Sequence, residues 1–227
     1  MTKLLILALI VCYLPAAGQY NPKEYKIFDD LKTRVFHDDF DDNKNNWFTC
    51  YDSTGAEIRH GKKYIKDGVL YINAVCDIDI SYATCPVATG VDFSRNFEIV
   101  FNAKMQRNKG GRYKHYSAIE WGRKRNGFDG YSILFNNWGN GIILYFSKQF
   151  DGGVHPDINK NIYSEVFNKD GFNRYTIRKF GDRYYFFVNG ILEKQWQNVP
   201  LHGDLVSLSG MPDYLCEFQF ISIFYLP

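Results

Sequence analysis

The sequence predicts an all-β protein, and three observations support that prediction. Apolar and polar residues alternate along much of the chain, as in Phe97–Met105 and Tyr184–Val188, and a period of two indicates strands with one buried face. Aromatic residues make up 18% of the chain, with 19 Phe and 17 Tyr, and such side chains suit a pleated, half-buried surface. Short turns rich in glycine separate the alternating runs, so we expect many short strands.

The N-terminal segment 1–18 is predicted to be a secretory signal peptide. Lys3 supplies a positive charge, Leu4–Leu14 is an apolar run, and small residues precede Gln19. The run is too short to span a bilayer, although an N-terminal anchor helix is the alternative. We therefore expect residues 19–227 to form one domain of a secreted or periplasmic protein. After removal of the signal peptide, no transmembrane segment is expected.

The predicted strands follow one another at short intervals. Alternation is clearest in Phe97–Met105, Tyr131–Phe135, Ile142–Phe146, Tyr184–Val188 and Cys216–Phe224. Asn189-Gly190 lies between two apolar runs, and Asn-Gly in that position is the strongest short signal for a β-hairpin. No stretch has the pattern of a long amphipathic helix, so the chain is expected to be a sandwich or a barrel.

Charge and motif content exclude several classes of function. The net charge of +2 gives no strong field of one sign, which argues against nucleic acid as a partner. The five histidines are dispersed without metal-ligand spacing, and no G-x-S-x-G motif is present.

The cysteines indicate disulfide bonding. Cys50, Cys76, Cys85 and Cys216 remain after the signal peptide, and an even number in an exported chain is typical of disulfide-bonded proteins. A local Cys76–Cys85 bridge with a Cys50–Cys216 bridge is one of the possible pairings, and the alternatives stay open.

Four passages carry a resemblance to a known superfamily. These are Phe36–Trp47, Asp92–Ile99, Ala118–Phe135 and Asn173–Gly190, which contain "FHDDFDDN…W", "DF…NFEI", "AIEWG…GYSILF" and "NRYTIR…FFVNG". In this order they resemble the concanavalin A-like lectin/glucanase superfamily, and are most similar to the laminin-G-like and DUF1080-type (3-keto-disaccharide hydrolase-like) sandwiches of secreted bacterial proteins. The resemblance implies a jelly-roll β-sandwich of two antiparallel sheets. It does not by itself choose a function, because such folds host lectins, hydrolases and adhesion modules.

The carboxylate pattern favours binding over cleavage. Glucanases of this superfamily carry a Glu-x-Asp-x-x-Glu run on one strand, and the chain has none. Glu98 and Glu120 stand alone on their predicted strands, and only an arrangement on adjacent strands would bring them together. No catalytic residue is assigned, and these two are the fallback candidates. We predict a non-catalytic, lectin-like binding module, with a glycan-cleaving hydrolase and a structural or protein-interaction domain as alternatives.

Aromatic and polar residues in the middle of the chain are candidates for ligand binding. Sugar recognition combines aromatic faces with side chains that hydrogen-bond hydroxyl groups. The predicted set is Trp138, Trp121, Tyr145, Arg123, His115 and Arg112. The alternative for Trp121 is a place in the core. The expected partner is a glycan or a cell-surface protein.

The acidic segment near the first predicted strand is a candidate metal site. Asp39, Asp41 and Asn43 offer the oxygen ligands that a structural calcium ion prefers. The alternative is a solvated loop whose side chains form turns. No other cofactor is expected.

Overall fold

β-Strands form the regular structure of the part of the chain that is described by the computed structural model. That part comprises residues 30–48, 62–73, 83–107, 117–124, 130–138, 141–150, 153–154, 164–197, 201, 203–210 and 214–227, with the backbone alone described for 83–86, 107, 117–118, 134–138, 141–150 and 153–154. The strands are β1 (Thr33–Asp38), β2 (Lys62–Lys66), β3 (Val69–Asn73), β4 (Ala83–Ala88), β5 (Phe97–Arg107), β6 (Ser117–Arg123), β7 (Gly130–Trp138), β8 (Gly141–Phe150), β9 (Gly153–Val154), β10 (Asn173–Phe180), β11 (Arg183–Val188), β12 (Ile191–Gln197), β13 (Leu205–Gly210) and β14 (Tyr214–Tyr225). The predicted all-β class is confirmed.

The strands form two antiparallel sheets. The eight-stranded sheet has the order β12-β11-β10-β5-β14-β3-β2, with β1 paired to β14. The six-stranded sheet has the order β4-β13-β6-β7-β8-β9. Neighbours in space are often distant in sequence, as with β5 beside β14 and β6 beside β13. This is the two-sheet jelly-roll sandwich that the sequence predicts.

The predicted Asn-Gly hairpin joins β11 to β12. Val188 pairs with Ile191 across the turn, and the backbone φ angles are 50° at Asn189 and 82° at Gly190. A two-residue turn with positive φ at both positions matches the right-handed twist of its strands. The hairpin prediction is confirmed at this turn.

Aromatic residues from both sheets meet in the core. Trp121 and Tyr131 of the six-stranded sheet stack with centroids 5.4 Å apart, while Tyr184 and Trp196 of the eight-stranded sheet stack at 5.1 Å. Tyr131 lies 4.8 Å from Tyr184, so the two pairs are in contact. Offset and tilted aromatic packing of this kind adds to the energy of burying the rings.

Residues Leu31–Pro227 form one compact unit. The proposed signal peptide lies outside the described residues, and the domain boundaries stay a prediction. Within the described part of the chain, no helix has the length and hydropathy needed to cross a membrane.

Candidate functional site

A glutamate lies on the outer face of the six-stranded sheet. In β6, Ile119 and Trp121 are fully buried and Glu120 lies between them. Since successive side chains of a strand point to opposite faces, Glu120 faces away from the core. It pairs in register with Ser207 of β13 on one side and with Ser132 of β7 on the other. The Glu120 carboxylate therefore lies between two serines on this face.

A β-bulge brings Arg123 to the same face as Glu120. Two residues separate them, so regular alternation would place them on opposite faces. The register of β13 against β6 shifts from Trp121 to Arg123 and leaves Gly122 as the extra residue, with φ of 74°. Glycine adopts this left-handed conformation without steric cost. The bulge allows Arg123 Nη1 to donate to Glu120 Oε2 at 2.9 Å.

A second glycine leaves room for the arginine side chain. A Cβ atom at Gly130 would lie 2.6 Å from Arg123 Cγ and 3.1 Å from the backbone oxygen of Trp121. Gly130 begins β7, the strand next to β6 in the sheet. Its missing side chain therefore lets the Arg123 stem lie against β7 and the guanidinium reach Glu120.

The ion pair is partly shielded from water, and two polar atoms beside it have no hydrogen-bond partner. The side chains of Glu120 and Arg123 are 18% and 27% exposed. Within the described part of the chain, the hydroxyl of Ser207 and Nε of Arg123 are buried without a hydrogen-bond partner. Buried polar atoms are nearly always paired with protein or water, so two such atoms beside one carboxylate are candidates for contact with a ligand or with water.

Glu120 is the single carboxylate on the six described strands of this sheet. The sequences of β4, β6, β7, β8, β9 and β13 contain no other Asp or Glu. The sheet can thus offer one carboxylate, one guanidinium and serine hydroxyls for chemistry or binding.

The other fallback candidate, Glu98, lies in the other sheet. It is on β5 and accepts hydrogen bonds from Arg178 Nε at 2.6 Å and from Lys32 Nζ at 2.7 Å. Because β5 and β6 belong to different sheets, the two glutamates do not lie on adjacent strands. Glu98 is buried and held by two cations, as expected of a structural carboxylate.

The predicted ligand-binding residues do not all lie on the same face of the six-stranded sheet. Arg123 joins Glu120 on the outer face, whereas Trp121 is fully buried in the aromatic core and is corrected from ligand residue to core residue. Tyr145 pairs in register with Leu134, and Trp138 with Gly141, but the side chains of these residues are outside the description. His115 and Arg112 also lie outside the described residues.

The acidic segment after β1 uses its side chains to hold its own backbone. Asp39 Oδ1 accepts from the backbone N–H of Asp41 at 3.5 Å, and Asn43 Oδ1 accepts from that of Trp47 at 2.9 Å. The hydrogen bond from Asp41 is the first cause of a lowered pKa of the exposed Asp39 carboxyl. Among the described residues, no three His, Cys, Asp or Glu side chains converge as metal ligands. Calcium binding by Asp39, Asp41 and Asn43 stays a prediction.

The buried Asp38 at the end of β1 organises this segment. Its two oxygens accept from the backbone N–H of Phe40 at 2.8 Å, from Trp47 Nε1 at 2.6 Å and from the Asn45 amide at 2.5 Å. Asp38 is fully buried with its acceptors in use. It has the character of a structural residue.

The disulfide prediction rests mainly on residues that are not described. Cys216 is fully buried on β14, where it pairs in register with Ile72 and Met105. Cys50 and Cys76 lie outside the described residues, and only the backbone of Cys85 is described, in β4. The pairing stays a prediction.

An open cavity lies beyond the end of β6. It has a volume of about 490 Å³, and Asp92, Lys124, Gly203 and Asp204 are among the lining residues. Hydrogen bonds from the hydroxyl and the backbone N–H of Ser94 lower the pKa of the Asp92 carboxyl. Lys124 follows Arg123 directly in the chain, whereas Glu120 and Arg123 do not line this cavity.

Sequence reasoning missed Ser207, Ser132 and the two glycines. A signal was present in Trp121-Gly122-Arg123, because a glycine inside a strand pattern often marks a bulge. For the serines there was no local signal, since their importance comes from pairing with a distant strand.

Comparisons with solved structures find the same architecture at low sequence identity. The chain is similar to the endo-β-1,3-glucanase of Pyrococcus furiosus, with a TM-score of 0.63, 12% identity, and 86% of this chain and 95% of that chain covered. It is similar to the laminarinase catalytic domain of Thermotoga maritima MSB8, with a TM-score of 0.60, 13% identity and coverage of 86% and 98%. A third similar structure is the CBM2 module of the evolved Dit of Lactobacillus casei BL23 phage J-1, with a TM-score of 0.56, 14% identity and coverage of 86% and 96%.

No protein-family model matches the chain, and no curated protein matches it. At these identities the structural likeness shows the fold and not the activity. The chain has the jelly-roll β-sandwich fold, built from two antiparallel sheets.

Proposed function

We propose that this protein binds a glycan without cleaving it, through the outer face of the six-stranded sheet. The observation that carries the proposal is the single carboxylate of that sheet, Glu120, fixed by Arg123 between two serines. Carboxylate, guanidinium and hydroxyl groups are the polar groups that orient a sugar by its hydroxyls. Several proteins of similar fold have glucanase, laminarinase or CBM2 in their names, which supports a glycan as the partner.

The carboxylate content of the sheet favours binding over hydrolysis. Glycoside hydrolysis of the common kinds requires two carboxyl groups about 5–10 Å apart, one on each side of the scissile bond. Glu98 cannot serve as the second group, since it belongs to the other sheet and is held by Arg178 and Lys32. A hydrolase would need a second carboxylate from outside the described strands of this sheet.

The other sequence-based expectations remain part of the proposal. The signal-like N-terminus supports a secreted or periplasmic protein, and the motif order supports a laminin-G-like or DUF1080-type sandwich. Trp138 and Tyr145 are the proposed aromatic contacts for the sugar. A cell-surface protein as partner is the alternative, since a sandwich face can also bind another protein.

Glycan-array binding of the purified protein, followed by product analysis on each bound glycan, tests the proposal. Incubations with calcium and with EDTA test the predicted calcium site in the same experiment. We expect saturable binding to one class of glycan and no new reducing ends. Release of shorter products would show a hydrolase, and an absence of binding to any glycan would favour the protein-interaction alternative.

A matched pair of glutamate variants identifies the face that binds. Glu120→Gln keeps the side-chain shape but removes the charge that holds Arg123. Glu217→Gln makes the same change on the eight-stranded sheet, where Glu217 lies 3.7 Å from Lys104 and is 12% exposed. A hydrogen bond to a charged group is worth about 1.5–3 kcal/mol, so we expect Glu120→Gln to weaken binding about tenfold or more. Glu217→Gln should bind like the wild type, and equal losses in both variants would contradict the assignment of the face.

A further inference from the structure

The unpaired polar atoms beside Glu120 point to what the site recognises. Ser207 is 1% exposed, and its hydroxyl has no hydrogen-bond partner among the residues that the structure describes. Arg123 Nε is also buried without a partner. A buried group that makes no hydrogen bond costs stability, since it has lost its bonds to water without replacing them. Such a cost is expected where the partner is a ligand.

The unpaired atoms belong to one face and one cluster. Ser207 is directly opposite Glu120 in the β13–β6 register, and antiparallel partners present their side chains on the same face. Arg123 is held to Glu120 by the 2.9 Å hydrogen bond. The bulge at Gly122 and the space at Gly130 are both needed for that contact. The backbone is thus shaped to hold these three side chains together.

The chemistry of the three groups matches adjacent sugar hydroxyls. A hydroxyl group both donates and accepts hydrogen bonds, a carboxylate only accepts, and a guanidinium only donates. Two neighbouring sugar hydroxyls can therefore donate to Glu120, accept from Arg123, and satisfy Ser207 in either direction. A sugar whose hydroxyls are methylated could not donate to Glu120 and would leave that carboxylate without a ligand hydrogen bond.

The charge of the cluster selects against acidic sugars. The negative Glu120 and the positive Arg123 compensate each other, and the serines are neutral. A uronate or sulfate at this position would face the Glu120 carboxylate while competing for Arg123, and like charges in a shielded site repel each other strongly. We infer that Ser207, Glu120 and Arg123 form a subsite for the vicinal hydroxyls of a neutral sugar. The inference rests on the proposed glycan-binding function and names its ligand class.

Ser207→Ala separates a ligand-binding role from a structural one. With the hydroxyl unpaired in the free protein, its removal should leave the melting temperature unchanged or raise it. The same change should weaken binding of a neutral glycan about threefold to tenfold, the value of one neutral hydrogen bond. A fall in melting temperature with unchanged affinity would show that Ser207 is structural and overturn the inference.

Ser222→Ala is the matched control. Ser222 is 6% exposed on the outer face of the other sheet, and its hydroxyl is 2.8 Å from Nδ1 of His37. This hydroxyl already has a partner, so its removal should lower the melting temperature and leave glycan affinity unchanged. The two serine variants should therefore show opposite patterns of stability and affinity.

The ligand class is tested by isothermal titration calorimetry with defined probes. Laminarihexaose and cellohexaose represent neutral sugars, an α-1,4-linked hexagalacturonate represents acidic ones, and any other glycan that the array detects is added. Binding of a neutral glycan that Ser207→Ala weakens supports the inference. Preference for the uronate, or for a sulfated glycan, would overturn the inference and leave glycan binding intact. Binding to no glycan would instead remove the proposed function itself.

Discussion

Two glutamates, one on the outer face of each sheet, show two ways in which a β-sandwich holds a carboxylate. Glu98 is 3% exposed and accepts hydrogen bonds from Arg178 and Lys32, one cation to each oxygen. Glu120 is paired with Arg123, and its side chain is 18% exposed beside Ser207, whose hydroxyl has no partner among the described residues. Both oxygens of Glu98 are already hydrogen-bonded to cationic side chains, whereas Glu120 still has hydrogen-bonding capacity that a ligand can use.

The difference teaches that burial alone does not identify a site. Both glutamates are ion-paired on a strand, and a search for shielded carboxylates would rank Glu98 first. Satisfaction of the neighbouring polar groups separates them, because a saturated cluster stabilises the fold while an unsaturated one costs stability. Asp38 agrees with this distinction, since it is fully buried with both oxygens bonded to its own loop.

The largest expected effect comes from breaking the saturated cluster. Glu98→Ala leaves Arg178 and Lys32 in a shielded place without their counter-charge. Removing one partner of a buried ion pair is expected to lower the free energy of unfolding by about 3–5 kcal/mol. Chemical denaturation with urea measures the change directly.

Glu120→Ala is the comparison variant for that measurement. Its partner Arg123 is 27% exposed and can regain water, so the loss of stability should be about 1 kcal/mol or less. Equal losses at Glu98 and Glu120 would contradict the distinction between the two carboxylates.

Most of the fold could be predicted because its signals are local. The alternation in Phe97–Met105 lies within a single strand, and the Asn189-Gly190 turn needs only the two residues with positive φ. Binary patterning and turn chemistry act over a few residues, so they can be recognised without knowing which strands pair.

The site could be predicted only in part because it depends on pairing between distant strands. Glu120 and Arg123 were candidates from their chemistry, but regular alternation puts them on opposite faces, and only the bulge at Gly122 brings them together. Ser207 becomes part of the site through its register with Glu120. The burial of Trp121 could not be predicted from the local sequence, because it depends on packing against Tyr131 of a neighbouring strand and Tyr184 of the opposite sheet.

An intermediate effect is expected from filling the space that Arg123 occupies. Gly130→Ala would place a Cβ atom 2.6 Å from Arg123 Cγ and 3.1 Å from the oxygen of Trp121. Overpacking usually costs about 1–3 kcal/mol, and here it should also move the guanidinium away from Glu120. We expect lower stability together with weaker glycan binding, measured by denaturation and calorimetry.

Gly190→Ala provides the control for a glycine change remote from the site. A Cβ there would meet no atom within 4 Å, and its cost would come from the positive φ of 82°, at about 1–2 kcal/mol. This variant should lose stability but keep its glycan affinity. If Gly130→Ala also kept full affinity, the position of Arg123 would not matter for binding.

The smallest expected effect concerns a third carboxylate, which is held by a neighbouring serine instead of a cation. Asp92 lines the cavity beyond the end of β6. It accepts hydrogen bonds from the hydroxyl of Ser94 at 2.6 Å and from the backbone N–H of Ser94 at 2.9 Å. These hydrogen bonds lower the pKa of Asp92 below its ordinary value of 3.8. A lowered pKa in the folded state contributes stability that is present above the unfolded-state pKa and is lost as the pH falls through the folded-state pKa. Ser94→Ala should therefore raise the pKa of Asp92 toward 3.8 and make the protein slightly less stable at pH values above this range, neutral pH included, with the difference from the wild type disappearing as the pH falls through the folded-state pKa. An NMR titration of the carboxyl carbons measures the shift, with Asp39 as the internal control because its lowered pKa comes first from the backbone of Asp41. An unchanged pKa of Asp92 in this variant would show that the Ser94 hydroxyl does not lower it.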